Sequence, residues 1–221
     1  MRRRILTSIG AKPWVNPYQT NDGALKFMLD SVFSPPNDNK WVDSVGGRII
    51  PLNPGSYNIV GKYIEFVSTA YGPDRSMVDG LGLDIGAGYT MQFVWKDGHT
   101  STSNNGFIVS LALGIGSYWY AHVCRGIRGQ FSNPNYLGKN NWHTWSFIWK
   151  SGLDHPSYRD KTFYNATYKF PAGPQEFGAR IEIGSGGYKM YAASVRVFNR
   201  QLTEDEVFRF CDLDKEIYGL T

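Results

Sequence analysis

Cysteine is almost missing from this chain. Cys124 and Cys211 are the only two among 221 residues, which rules out a disulfide-dense scaffold and a four-cysteine zinc site. In a reducing cytoplasm such a pair is expected as two buried free thiols rather than a bridge. Histidine is nearly as sparse. His99, His122, His143 and His155 stand at no metal-ligand spacing from one another or from the cysteines, so no structural zinc is expected. Long apolar runs are lacking too: nothing approaches the ~20 residues of a membrane-spanning helix, and no membrane insertion is expected. Nor is there a large excess of one charge. The formal net charge is +4 and the basic residues are scattered apart from Arg2, Arg3 and Arg4, which argues against a nucleic-acid partner. Those arginines precede Ile5 and Leu6 as in an export signal. Thr7, Ser8, Gly10 and Lys12 then break the ~7–15-residue apolar segment that a signal needs, so synthesis in the cytoplasm without export is expected.

Nucleophile and phosphate motifs are also absent. There is no Gly-x-Ser-x-Gly, and neither cysteine has a recognisable catalytic partner pattern. The glycine-rich stretch from Asp79 to Gly88 matches neither GxGxxG nor a Walker motif, and a strand pattern rather than a helix follows it. It reads as a turn or bulge.

What is present is apolar and aromatic residue in short bursts. Hydrophobic residues make up 42% and aromatics 15%, enough for a sizeable core, while 25 glycines and 11 prolines are spread among the apolar runs. Strand patterns fall at Lys62 to Ser68, Tyr89 to Lys96, Phe107 to Ile115, Tyr118 to Arg125, Trp142 to Lys150 and Arg180 to Ile183. In the second, Met91, Phe93 and Trp95 alternate with Thr90, Gln92 and Val94, and Asp97-Gly98 closes it. Leu25 to Phe33 is a mixed apolar segment followed by a Ser-Pro-Pro-Asn-Asp-Asn loop. The spacing of turn signals implies two packed antiparallel sheets, a sandwich or jelly roll.

The C-terminal stretch, Ser194 to Leu220 with the residues that lead into it, is the most explicit. Tyr191, Ala193, Val195 and Val197 recur at period two as one buried face of a strand would. Thr203 with Glu206 forms a capping box, Leu202 and Val207 flank it as a hydrophobic staple, and Glu204, Asp205 and Glu206 suit the positive end of a helix dipole. A short helix is therefore predicted from about Glu204.

This strand, its Asn-Arg-Gln-Leu-Thr-Glu-Asp-Glu turn and the helix resemble the closing segment of laminin-G-like and concanavalin-A-like domains. Asn39 to Gly47 (NKWVDSVGG) resembles the family's early Trp-x-Asp-x-x-Gly motif, and Trp142 to Gly152 its central Trp-His strand and turn. The ending CDLDKEIYGL is similar to that of such domains in structural proteins of tailed bacteriophages. The resemblance spans roughly Asp38 to Leu220. It implies an all-β, two-sheet antiparallel sandwich, a concanavalin-A-like jelly roll with a short C-terminal helix, over residues 38–221. Residues 1–37 would then be an N-terminal arm or first strands, available as an anchor.

The resemblance also raises two kinds of site. Glycosidases of this fold carry Glu-x-Asp-x-Glu or Glu-x-Asp-x-x-Glu on one strand, which period two turns to one face with the nucleophile and acid about 5–5.5 Å apart. None of the six glutamates here opens that pattern; Asp212, Asp214 and Glu216 come nearest and fall inside the predicted helix, where i and i+2 do not share a face. The chain is therefore expected not to be an enzyme. No cofactor is expected, although the family likeness allows calcium, for which Asp97, Asn104 and Asn105 offer oxygens; as turn residues they need no ion.

For binding, Tyr118 to His122 stands out. Alternation puts Trp119, Ala121 and Val123 on one face and Tyr118, Tyr120 and His122 on the other. The second set is either a strip that stacks on sugar rings or fills a protein interface, or a face buried between sheet and loop. Trp14 and Trp41 carry the same two readings. Two functions follow as expectations. The first is a structural or adhesive module of a phage virion, partnered by other virion proteins or its own copies and reaching host-surface polysaccharide. The second is a stand-alone carbohydrate-binding, lectin-like protein, with a glycoside hydrolase as the weaker alternative.

Overall fold

The computed structural model describes residues 15–67, 87–97, 107–113, 119–124, 141–149, 155–166, 180–183 and 190–220. The fold is an all-β antiparallel sandwich with one C-terminal helix. In chain order the strands are β1 (Leu25–Asp30), β2 (Lys40–Val42), β3 (Ile49–Pro51), β4 (Tyr57–Val60), β5 (Tyr63–Phe66), β6 (Tyr89–Asp97) and β7 (Phe107–Leu113). There follow β8 (Trp119–Cys124), β9 (Trp142–Trp149), β10 (His155–Arg159), β11 (Thr162–Ala166), β12 (Arg180–Ile183), β13 (Met190–Phe198) and the helix α1 (Glu204–Tyr218). The main sheet has eight strands in the order β11-β10-β9-β6-β13-β5-β4, with β1 pairing the later half of β13. A three-stranded sheet, β12-β7-β8, and the β2–β3 hairpin complete the described pairings.

Thr90 to Trp95 of β6 and Ala192 to Phe198 of β13 are buried on both faces. The reason is that α1 covers one side of the main sheet. On that side Tyr18, Leu25, Met28, Ile148, Tyr158 and Phe198 pack with Leu202, Val207, Phe210 and Cys211 from the turn and the helix. Each such large side chain taken out of water stabilises the dock by about 1.5–3 kcal/mol. On the other side lie Phe27, Leu29, Met91, Phe93, Trp95, Trp145, Phe147, Val195 and Val197, all buried.

The helix begins and ends as its sequence dictates. Thr203 is extended at φ −72°, ψ 161°; its hydroxyl accepts from the Glu206 amide and the Glu206 carboxylate accepts from the Thr203 amide. Leu202 and Val207 lie together in the core beneath the turn. At the far end Gly219 takes a left-handed conformation, φ 68°, which lets its amide and that of Leu220 close on the Lys215 carbonyl.

One sequence expectation needs correction. Tyr191, Ala193, Val195 and Val197 do not share a face, because β13 bulges against β6: Ala192 lies opposite Trp95 and Ser194 opposite its neighbour Val94. The extra residue, Ala193, turns inward beside Val94 and Tyr218 of the helix, and reverses the alternation. Val195 and Val197 therefore face away from α1, while Tyr191 lies on the helix side. A second finding explains the early Trp-Asp-Gly motif. Trp41 is fully buried with its Nε1 donating to the Asp30 carbonyl, so it is a core residue rather than a ligand platform. Asp43 accepts from the amides of Met28, Val45 and Gly46 and from Arg48 Nη1. A Cβ on Gly46 would lie 1.9 Å from that guanidinium.

Candidate functional site

Polar side chains gather in three places on the main sheet. The first is sealed beneath α1. Arg196 donates from Nη1 and Nη2 to the two oxygens of Asp214 at 2.8 and 2.7 Å, its guanidinium lies 3.9 Å from the centre of the Tyr18 ring, and both side chains of the pair are 0% exposed. Tyr18 and Thr144 hydroxyls complete the carboxylate's partners at 2.7 and 2.8 Å. Burial opposes the charge on Arg196, but Asp214 together with Tyr18 and Tyr218 outweighs it and raises the pKa. Beside it, Tyr218 of the helix donates to Asp30 of β1. Burial raises the Asp30 carboxyl above its ordinary range, against the lowering effect of the Tyr218, Phe33 and Val32 hydrogen bonds. These groups fasten the helix to the sheet and have no open side for a ligand.

The second place is Asp160, which holds a left-handed backbone (φ 56°) in the β10–β11 turn. Its carboxylate pairs with His143 Nδ1 at 2.8 Å and accepts from the Thr144 amide, while its carbonyl accepts from the Cys211 thiol. Burial pushes the Asp160 carboxyl up, yet His143 and the amide leave it below the usual carboxylate range. His143 Nε2 and, on the neighbouring strand, Trp95 Nε1 are buried with no hydrogen-bond partner among the described residues. A carboxylate-oriented imidazole has the form of a general base. Here it lies on the apolar side of the sheet, with Trp145 two residues along the same strand.

The third place is open to solvent. Residues directly opposite in antiparallel strands point to the same face, and the register makes a row across five strands: Asn58 on β4, Glu65 on β5, Tyr191 on β13, Lys96 on β6 and Trp142 on β9. Asn58 is exposed and the other four are half-buried. Contacts run along most of it. Asn58 Nδ2 donates to Glu65 at 3.1 Å, and the Lys96 ammonium lies 4.5 Å from the Tyr191 ring centre and 5.7 Å from that of Trp142. Tyr63 joins the rings, 5.1 Å from Trp142 and edge-on to Tyr191 at 5.6 Å. Lys96 forms no ion pair among the described residues. The end of α1 borders the row, where Ile217 and Leu220 pack beside Tyr63 and Trp142 and Lys62 Nζ caps the Ile217 carbonyl at 2.6 Å. The β13 bulge is what brings Tyr191 to this face.

The structure describes only some of the residues singled out from the sequence. Tyr118 falls outside the described residues, while Tyr120 and His122 occupy β8 at the positions opposite Ala112 and Ser110. Asp97 ends β6, and Asn104 and Asn105 fall outside the described residues, as does Trp14. Among the described residues no three His, Cys, Asp or Glu side chains cluster in a way that could hold a metal. Nor does any described helix have the length and apolarity to cross a membrane.

No protein-family model matches the chain, and no curated protein matches it. Solved structures do. A Trypanosoma rangeli sialidase in complex with sialic acid superposes with a TM-score of 0.57 at 10% identity, over 88% of this chain and 33% of that one. A mutant of the same sialidase with trans-sialidase activity gives 0.60 at 11% identity, over 90% and 34%. The ligand-binding domain of botulinum neurotoxin serotype D in complex with N-acetylneuraminic acid gives 0.58 at 11% identity, over 86% and 50%. This chain thus spans about a third of the sialidases and half of the toxin domain, and at these identities the likeness establishes the fold: a β-sandwich shared with parts of sialidases and toxin binding domains.

Proposed function

We propose that this chain is a non-enzymatic glycan-binding module that takes an acidic sugar at Trp142, Lys96 and Tyr191. The observation that carries the reading is the Lys96 ammonium, held over two half-buried rings with no ion pair among the described residues. Ring faces suit the C–H faces of a pyranose, and the ammonium suits a sugar carboxylate. The fold likeness supports it, since two of the similar structures hold sialic acid or N-acetylneuraminic acid.

The test is a glycan array read with the native protein, Trp142→Ala and Lys96→Met, each checked for native circular dichroism. Native binding to acidic glycans that both variants lose is the expected result. No binding by the native protein, or equal binding by folded variants, overturns the reading. A Tyr120→Ala variant asks whether the β8 strip contributes instead, and it is expected to bind as the native protein does.

The virion setting suggested by the ending CDLDKEIYGL, and with it virion partners and self-association, draws no support from the similar structures. The residues of that ending have docking roles: Asp214 pairs with Arg196, Tyr218 with Asp30, and Lys215 and Gly219 close the helix.

A further inference from the structure

We infer that Ser31 is a positioning residue for the glycan site: its buried hydroxyl sets two of the site's three rings without touching the ligand. This rests on the glycan reading of Trp142, Lys96 and Tyr191 and deepens it. β13 changes neighbour part-way along its length. Met190 to Ala192 pair with β5, Ser194 to Phe198 pair with β1, and the bulged residue Ala193 falls between. The end of β1 and the start of β5 thus meet along one side of β13, where no ladder joins them to each other among the described residues. Ser31 lies at that seam and is 4% exposed. Its amide donates to the Ala193 carbonyl at 2.9 Å, and its hydroxyl lies 2.9 Å from the same carbonyl and 2.6 Å from that of Lys62. A hydroxyl has one hydrogen to donate. Because the amide already serves Ala193, the shorter contact, to Lys62, is what the hydroxyl adds.

Both carbonyls sit next to the rings in the chain. Lys62 precedes Tyr63, and Ala193 is the extra residue that brings Tyr191 to the helix side. Tyr63 touches both other rings, edge-on to Tyr191 at 5.6 Å and tilted against Trp142 at 5.1 Å, while the Lys96 ammonium lies 4.5 Å from the Tyr191 ring centre. A small shift of β5 along β13 would alter all of these contacts. The Lys62 side chain carries a second, exposed tie, from Nζ to the Ile217 carbonyl at 2.6 Å, which holds the end of α1 beside the same rings.

The experiment compares the native protein with Ser31→Ala, with the near-isosteric Ser31→Cys, whose thiol is a weaker donor, and with Thr203→Ala, which loses a hydrogen bond far from the rings. Two readouts are taken. In the free protein, nuclear magnetic resonance should find the Lys96 Cε protons shifted upfield by the Tyr191 ring. That shift should shrink in Ser31→Ala, less so in Ser31→Cys, and stay native in Thr203→Ala. In calorimetric titration with sialyllactose, Ser31→Ala should bind about two- to tenfold more weakly, the factor by which one lost hydrogen bond can lower the fraction of molecules in the competent arrangement. Ser31→Cys should fall between, and it decides the matter if Ser31→Ala does not fold. Thr203→Ala should bind as the native protein does, so a general loss of stability would not produce this pattern. Native Lys96 shifts in the folded Ser31 variants, or native affinity in them, overturn the positioning role and leave the glycan reading intact. Absence of binding by the native protein overturns the glycan reading, and the Lys96 shift then still decides whether Ser31 arranges the rings.

Discussion

Arg196 of β13 and Asp214 of α1 form a two-pronged ion pair from which water is wholly excluded, with Nη1–Oδ1 at 2.8 Å and Nη2–Oδ2 at 2.7 Å. Removing one partner leaves an uncompensated buried charge. Asp214→Ala is therefore expected to cost about 3–5 kcal/mol in denaturant unfolding, and Arg196→Met a similar amount. The double variant Arg196→Met with Asp214→Leu should recover much of that loss. Equal additive losses would show that the pair is not coupled.

The cap of the same helix is more exposed and is worth less. Thr203→Ala deprives the Glu206 amide of its acceptor and should cost about 1 kcal/mol in the same measurement, with no loss of glycan binding. A loss as large as that at Asp214 would mean that the turn, rather than the ion pair, holds the helix down.

Acid should weaken the turn before the helix. Arg200 hydrogen-bonds both oxygens of Glu206 and also meets Asp22, and both carboxyls are held below their ordinary range chiefly by that arginine. A lowered folded pKa contributes stability that is complete above the unfolded value, about 4, and disappears as pH falls through the folded one. These groups are partly exposed, so the effect is small and screened by salt. Arg200→Gln should thus lower the melting temperature at pH 7 and converge on the native protein as pH drops below about 4. A difference that stays constant with pH would contradict the linkage.

Cys211 is buried against the sheet, its thiol donates to the Asp160 carbonyl at 2.9 Å, and burial pushes its pKa up to about 12. At pH 8 its peptide should remain unmodified by iodoacetamide in the native protein and react fully after denaturation, as read by mass spectrometry. Rapid native labelling would place the thiol at the surface.

The sequence carried the local features well. Alternation located β6 and β9, and the capping box and staple located the start of α1 at about Glu204, because both signals depend on neighbours a few positions apart. Short strands such as β2, β3 and β10 escaped notice: three to five residues, with Pro156 inside β10, give too little pattern to distinguish from loop. Arg196 left a clue, as a lone cation among Val195, Val197 and Phe198, but its partner lies 18 residues away across a turn and could not be identified from spacing. The open row was illegible for a deeper reason. Its five residues come from five strands and meet only through register, and the bulge at Ala193 that delivers Tyr191 leaves no mark in a sequence that reads as plain alternation.

The most direct test of the account follows the tryptophan indole N–H signals by nuclear magnetic resonance as a sialylated oligosaccharide is added. Trp142 sits in the row, whereas Trp41, Trp95 and Trp145 are buried in the sandwich. The account predicts that the Trp142 signal, assigned by its loss in Trp142→Phe, shifts saturably while those three stay in place. A saturable shift confined to the other tryptophans, or none at all, would contradict it.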